Sequence, residues 1–129
     1  MRRLLVAIVG AIAIAGCAEA ALAADAPSLM GSWTGTGPSV GAGEGWETGR
    51  SFTMTVTEQR GPVFKAMSEW PGGQEEMLGV IRADGRTILL NNSDGVSMAT
   101  LLGPDQMEAC YVEGGDDALA TCMILNRSK

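Results

Sequence analysis

The stretch Ser51-Phe52-Thr53-Met54-Thr55-Val56-Thr57-Glu58 decides the fold class, because apolar and hydroxyl-bearing side chains alternate along it. Phe52, Met54 and Val56 fall on one face of an extended chain, and the threonines fall on the other. A period of two residues is typical of a β-strand that buries one face. We therefore predict a half-buried strand here, with Phe52 and Met54 pointing into the interior.

The rest of the chain repeats this organisation about every ten residues, which is the spacing of an all-β meander. From Leu29 onward no segment has the 3.6-residue period of a helix. The predicted strands are Leu29 to Thr36, Ser51 to Glu58, Pro62 to Trp70, Glu75 to Arg82, Thr87 to Asn91, Gly95 to Leu102, Gln106 to Glu113 and Leu119 to Arg127.

Turn sequences between these strands favour antiparallel hairpins. Ala83-Asp84-Gly85-Arg86 and Asn92-Ser93-Asp94-Gly95 place a glycine where a tight turn needs a positive φ. An open sheet would leave two unpaired edges, and closing eight strands into a barrel removes them. We predict an all-β, up-and-down meander that closes into a small barrel, with a two-sheet sandwich as the structural alternative.

Residues 1–23 have the pattern of an export signal. Met1-Arg2-Arg3 is basic, and Leu4 to Ala15 is apolar but too short to span a bilayer, which takes about 20 residues. Residues 24–129 then form a single domain. We expect an exported protein, located in the periplasm or on the outer membrane facing the periplasm.

Two cleavage sites remain open within this signal. Ile14-Ala15-Gly16-Cys17 resembles a bacterial lipobox, in which Cys17 would be lipidated and would anchor the protein. Ala21-Leu22-Ala23 is a small-x-small site that would release a soluble domain. A lipid on Cys17 is the one membrane contact that the sequence predicts.

The other two cysteines are predicted to form a disulfide. Cys110 and Cys122 lie at equal distances from Asp116, in the turn of the last hairpin, so folding that hairpin brings them opposite each other. An oxidising compartment favours the bond. There is no CxxC motif and no neighbouring basic residue, so we predict a structural disulfide rather than a redox-active pair.

Composition excludes several classes of function. The chain has 9 Lys and Arg against 15 Asp and Glu, a formal net charge of −6, which argues against binding of nucleic acid. It has no His, so catalytic triads, His-metal sites and His pH switches are excluded. No nucleophile–base pair can be assembled from the remaining side chains. We expect no enzyme, no cofactor and no metal.

The sequence resembles the calycins, the superfamily of lipocalin and avidin-like barrels, at its two ends. Gly31-Ser32-Trp33 matches the Gly-x-Trp start of their first strand, and Arg127 stands where their last strand carries an arginine that covers this Trp. The resemblance implies that Gly31, Trp33 and Arg127 close one end of the barrel. An arginine over an indole face gains about 0.5 to 2 kcal/mol of cation–π attraction. In the alternative, Trp33 is an ordinary core residue and Arg127 a solvated charge.

Aromatic residues indicate where a ligand would bind. The glycine-rich segment Gly37 to Arg50 is predicted to be the one long loop, with Trp46 either capping a ligand or partner, or folding back over the barrel end. Trp70 would line the mouth of the barrel or cover a hairpin. The side chains predicted to face the axis are Phe52, Met54, Val56, Phe64, Met98, Tyr111, Met123 and Leu125.

Two functions follow from this pattern. The first is a binding module that holds a small apolar or amphipathic ligand, with Trp46, Trp70, Tyr111, Phe52 and Met54 as ligand-binding candidates. It predicts a cavity. The second is a protein-interaction module, such as a periplasmic inhibitor or an envelope-assembly lipoprotein, whose barrel is filled with side chains.

Overall fold

The computed structural model describes residues 26–128 as one closed, eight-stranded antiparallel barrel in which consecutive strands pair and β8 returns to β1. The strands are β1 (Gly31–Gly41), β2 (Gly45–Arg60), β3 (Val63–Trp70), β4 (Gly73–Ile81), β5 (Thr87–Asn91), β6 (Gly95–Gly103), β7 (Gln106–Glu113) and β8 (Leu119–Arg127). The predicted all-β meander and its closure are confirmed, and the sandwich alternative is wrong. The barrel is consistent with a calycin-like fold.

The export signal, both cleavage sites and Cys17 lie outside the described residues. Residues 26–128 contain no helix that is long and apolar enough to cross a membrane.

The predicted long loop is wrong. The segment Gly37 to Arg50 is not a long loop, because β1 and β2 continue through it as a paired hairpin whose turn is residues 42–44. Val40 pairs with Trp46, and Gly41 pairs with Gly45, which has a φ of +75°. Glycine at position 45 supplies the positive φ that this tight turn requires.

Two glycines in β1 allow β8 to approach closely. A Cβ atom built on Gly35 would overlap the carbonyl oxygen of Ile124, and one built on Gly37 would overlap the Cys122 carbonyl oxygen and the Met123 side chain. Their lack of a side chain lets β8 lie against β1. The glycines therefore close the barrel rather than loosen a loop.

The disulfide between Cys110 and Cys122 is present, as predicted. The two residues are directly opposite each other in the β7–β8 pair, and Cys122 is exposed on the outer surface. By the chain-entropy model, a bond that closes a loop of this length contributes about 3 kcal/mol.

Side chains alternate between the interior and the outer surface along every strand. The buried apolar residues that form the core include Leu29, Trp33, Val56, Phe64, Ile81, Ile88 and Leu101. All seven lie toward the end of the barrel where β1 begins and β8 ends. We call this end the closed end, and the opposite end, where the β1–β2 hairpin turns, the open end.

Candidate ligand-binding cavity

The closed end is sealed by the segment that precedes β1. Leu29 and Trp33 are both fully buried, and the indole Nε1 of Trp33 donates a hydrogen bond to the Leu29 carbonyl at 2.8 Å. Gln59, near the end of β2, accepts from the Leu29 amide at 2.8 Å and donates to the Pro27 carbonyl at 2.9 Å. These bonds satisfy polar groups that would otherwise be costly to bury.

Arg127 covers Trp33 from the solvent side. Its guanidinium carbon lies 4.3 Å from the centroid of a Trp33 ring, which is within cation–π range. The guanidinium donates to the backbone carbonyls of Ser28 at 2.8 Å, Met30 at 3.1 Å and Pro104 at 2.7 Å. Its Nε forms an ion pair with Asp105 Oδ1 at 3.3 Å. Gly31 begins β1 beside this side chain with a φ of +110°.

The open half of the barrel encloses a cavity of about 330 Å³. This volume is at the lower end of the range for small-molecule sites, about 300 to 1,000 Å³. The floor and lower walls are apolar and buried, and consist of Met54, Met77, Leu90, Ala99, Met107, Met123 and Leu125. Methionine is unbranched and flexible, so this floor can adapt to ligands of different shape.

Two aromatic residues stand in the upper wall. The Trp70 indole packs over Gly72 and Gly73 of its own hairpin, and the Tyr111 ring packs over Gly95, where a Cβ atom would overlap it. Both side chains line the cavity, as does half-buried Phe52. Trp70 therefore borders the mouth and covers a hairpin at the same time.

Three carboxylates from separate parts of the chain lie on the same side of the cavity rim at the open end. Glu113 accepts a hydrogen bond from the Tyr111 hydroxyl at 2.5 Å. The Ser93 hydroxyl lies 2.8 Å from a Glu75 oxygen and 3.1 Å from an Asp94 oxygen. Glu75, Asp94 and Glu113 all line the cavity.

The charges of these carboxylates act together on Tyr111. Burial of the phenol, its hydrogen bond to Glu113 and the negative charges of Glu113, Asp94 and Glu75 raise the pKa of Tyr111 well above its usual range. Each factor disfavours the phenolate anion. The rim is thus a region of negative potential beside an apolar cavity.

The basic residue in the cavity wall is Arg50, and other acids already neutralise it. Its Nη1 lies 2.6 Å from Glu44 Oε2 and 3.7 Å from Glu47 Oε2. Within residues 26–128, no lysine or arginine forms an ion pair with Glu75, Asp94 or Glu113.

Asn92 lies in the same wall, directly after β5. Its Oδ1 atom is buried and has no hydrogen-bond partner among the described residues. An unsatisfied buried acceptor costs about 1 to 3 kcal/mol.

Two residues that were predicted to contact a ligand or to face the barrel axis do not line the cavity. Trp46 is 86% exposed on the protruding β1–β2 hairpin and is not among the residues that line the cavity. Met98, predicted to face the axis, is 52% exposed on the outer surface, so that prediction is wrong. Its neighbours Ser97 and Ala99 line the cavity instead, and since successive side chains of a strand point to opposite faces, Met98 points outward.

The acidic rim was not predicted from the sequence. Glu75 and Asp94 are in turns or strand ends, where solvated charge is the ordinary expectation, and only closure of the barrel brings them near Glu113. Across residues 26–128, no group of three or more acidic or cysteine side chains is placed to hold a metal ion.

Comparison of the chain with protein-family models, with curated proteins and with solved structures found no match.

Proposed function

We propose that this protein is a non-enzymatic binding protein of the bacterial cell envelope that holds one small apolar or amphipathic molecule in the open half of its barrel. The observation that carries the proposal is the cavity of about 330 Å³, which has a buried methionine-rich floor and a polar rim. Pockets with an apolar lining and a few polar groups at one side are typical of small-molecule sites. Phe52, Met54, Trp70 and Tyr111 are the predicted contacts that border it.

The location follows from the sequence and is supported by one feature of the structure. The Cys110–Cys122 disulfide is compatible with an oxidising compartment outside the cytoplasm. The mass of the mature chain would tell whether cleavage precedes a lipidated Cys17 or follows Ala23. A mature protein that retains Met1 would contradict export by either route.

The proposal is tested by native mass spectrometry of protein produced in a bacterium from the complete sequence. We expect the folded barrel to retain an adduct. Ala109→Phe places a ring in the cavity from β7 and should abolish the adduct. Val112→Phe, on the same strand but 60% exposed at position 112, is the matched control and should retain it.

Far-UV circular dichroism and thermal unfolding would establish that both variants are folded. A wild-type barrel that carries no adduct, and takes none up from an extract of bacterial lipids and metabolites, would contradict the proposal.

A second candidate function is supported by the outer surface. Exposed apolar side chains form neighbouring cross-strand pairs over β4 to β7: Val80 with Leu89, Leu89 with Met98, and Val96 with Val112. A contiguous exposed apolar surface is typical of a protein contact. A photocrosslinking residue at position 96 should then capture an envelope protein, whereas one at exposed Lys65 should not. Equal capture at both positions, or none at position 96, would argue against this function.

A further inference from the structure

The cavity has two chemically different ends, and together they define a class of ligand. Its floor consists of buried apolar side chains such as Met54, Met77 and Met107. Its rim presents the carboxylates Glu75 and Glu113, both half-buried. A molecule that fits both ends must be apolar at one end and polar at the other.

The charge of the rim determines the sign of the polar end. Glu113 accepts a hydrogen bond from Tyr111 in the cavity wall, and the exposed Ser93 hydroxyl lies within hydrogen-bond distance of both Glu75 and Asp94. A ligand carboxylate or phosphate would be repelled there, and a cation would be attracted. Arg50 does not offset these charges, since its guanidinium is engaged by Glu44 and Glu47.

The hydrogen-bonding groups of the rim also favour a donor. Ionised carboxylates are hydrogen-bond acceptors only. A protonated amine brings N–H groups that donate to such carboxylates. The Tyr111 ring stands beside Glu113 in this wall, whereas Trp70 lies across the barrel on β3, and an aromatic ring next to a bound cation adds cation–π attraction.

We propose that the ligand is a cationic amphiphile, in which a protonated amine binds at the Glu75, Asp94 and Glu113 rim while an apolar group fills the methionine-lined floor. This inference rests on the proposed function, because it needs the cavity to be a ligand site.

The test is isothermal titration calorimetry at pH 7 and low salt with three probes of equal chain length: decylamine, 1-decanol and decanoate. Decylamine should bind about tenfold or more tightly than decanol, since hydrogen bonds to charged groups are worth about 1.5 to 3 kcal/mol. Decanoate should bind most weakly. Decyltrimethylammonium, which lacks an N–H, should bind several-fold more weakly than decylamine.

Matched variants separate the rim from the overall charge of the protein. Glu75→Gln with Glu113→Gln should reduce decylamine affinity to the level of decanol and leave decanol affinity unchanged. Glu76→Gln with Glu108→Gln removes the same charge from exposed positions and should change neither affinity. Circular dichroism and thermal unfolding would show that both double variants are folded.

The outcomes distinguish failure of this inference from failure of the proposed function. If decanol and decanoate bind as tightly as decylamine, the cationic class of ligand is wrong and the apolar cavity remains a ligand site. The same conclusion follows if both double variants reduce decylamine affinity by the same factor. If decyltrimethylammonium binds as tightly as decylamine, the role given to the N–H groups of the ligand is wrong. If none of the probes binds to wild type, the cavity is not a ligand site and both proposals fall.

Discussion

At the closed end of the barrel, the chain preceding β1 and the Trp33 side chain fill the space between the strands, whereas at the open end the same strands enclose a cavity of about 330 Å³. The polar groups of the closed end are paired with one another. Arg127, for example, donates hydrogen bonds to the carbonyls of Ser28 and Met30, which lie almost the whole domain away in sequence. At the open end, Glu75, Asp94 and Glu113 line the cavity, and no lysine or arginine of the described residues forms an ion pair with them. The closed end therefore stabilises the fold, and the open end contains the proposed ligand site.

The largest effect expected from this comparison is loss of stability on Trp33→Ala. Trp33 is fully buried, and truncating a buried tryptophan costs about 3 to 5 kcal/mol of unfolding free energy. Trp46→Ala is the matched control, because Trp46 is 86% exposed and its loss should cost less than about 0.5 kcal/mol. Urea unfolding followed by circular dichroism measures both. Equal destabilisation by the two variants would refute the assignment of the core to the closed end.

The next effect concerns the disulfide, which joins the two strands that carry Tyr111, Glu113 and Thr121 into the open half. Replacing Cys110 and Cys122 together with serine should cost about 3 kcal/mol. Because the open half has less side-chain packing, amide hydrogen exchange should accelerate more at the open end of β7 and β8 than at residues 106–108 and 125–127. Uniform acceleration along both strands would show that the two ends are equally stable.

Arg127→Met should have a smaller effect, about 2 kcal/mol, because it removes charge-assisted hydrogen bonds and the cation–π contact while keeping an apolar stem over Trp33. Arg127→Lys should recover only part of this loss, since an ammonium cannot reproduce the planar fork. Arg60→Met removes an exposed ion pair and should be nearly neutral. The free energies of unfolding of the three variants are measured by urea unfolding and compared. An Arg127→Met variant as stable as Arg60→Met would show that the arginine does not seal the closed end.

The smallest effect is spectroscopic and reports on the open end. Tyr111 is the single tyrosine of the chain, so alkaline absorbance titration observes it alone. Its midpoint should lie above the ordinary value of 10.0 and fall toward it in Glu113→Gln, with Glu108→Gln as control. Because the pKa of Tyr111 is raised in the folded state, ionising its phenol destabilises the fold. The corresponding contribution to stability is therefore present below about pH 10 and is lost as the pH rises through the pKa of Tyr111 in the folded protein. A midpoint that Glu113→Gln leaves unchanged would contradict the acidic rim.

The sequence predicted the strands better than the surfaces they form. Three strands, β5, β7 and β8, have the predicted bounds, because hydrophobic segments and turn residues are local signals. The Cys110–Cys122 pairing followed from the symmetry of one hairpin. The contact between Trp33 and Arg127 was implied by the resemblance, and the structure places the two side chains in contact.

What the sequence did not predict depends on three-dimensional closure. Gly37 was predicted to begin a long loop, yet it lies in β1 and, like Gly35, permits β8 to approach closely. Met98 is apolar and its neighbour Ser97 is polar, yet Ser97 lines the cavity and Met98 is exposed, which is the reverse of what hydrophobicity alone predicts for this strand. The rim is formed by β4, β7 and the β5–β6 turn, and no local pattern brings these together.

The central claim is that a ligand enters the open half of the barrel, and methyl NMR of methionine-labelled protein tests it most directly. The floor contains Met54, Met77, Met107 and Met123, whereas Met30 and Met98 are exposed outside. Titration with decylamine should shift the four floor methyl signals and leave the two outer ones unchanged. A shift at Met98 with no change in the floor would place binding on the outer apolar surface and contradict the account.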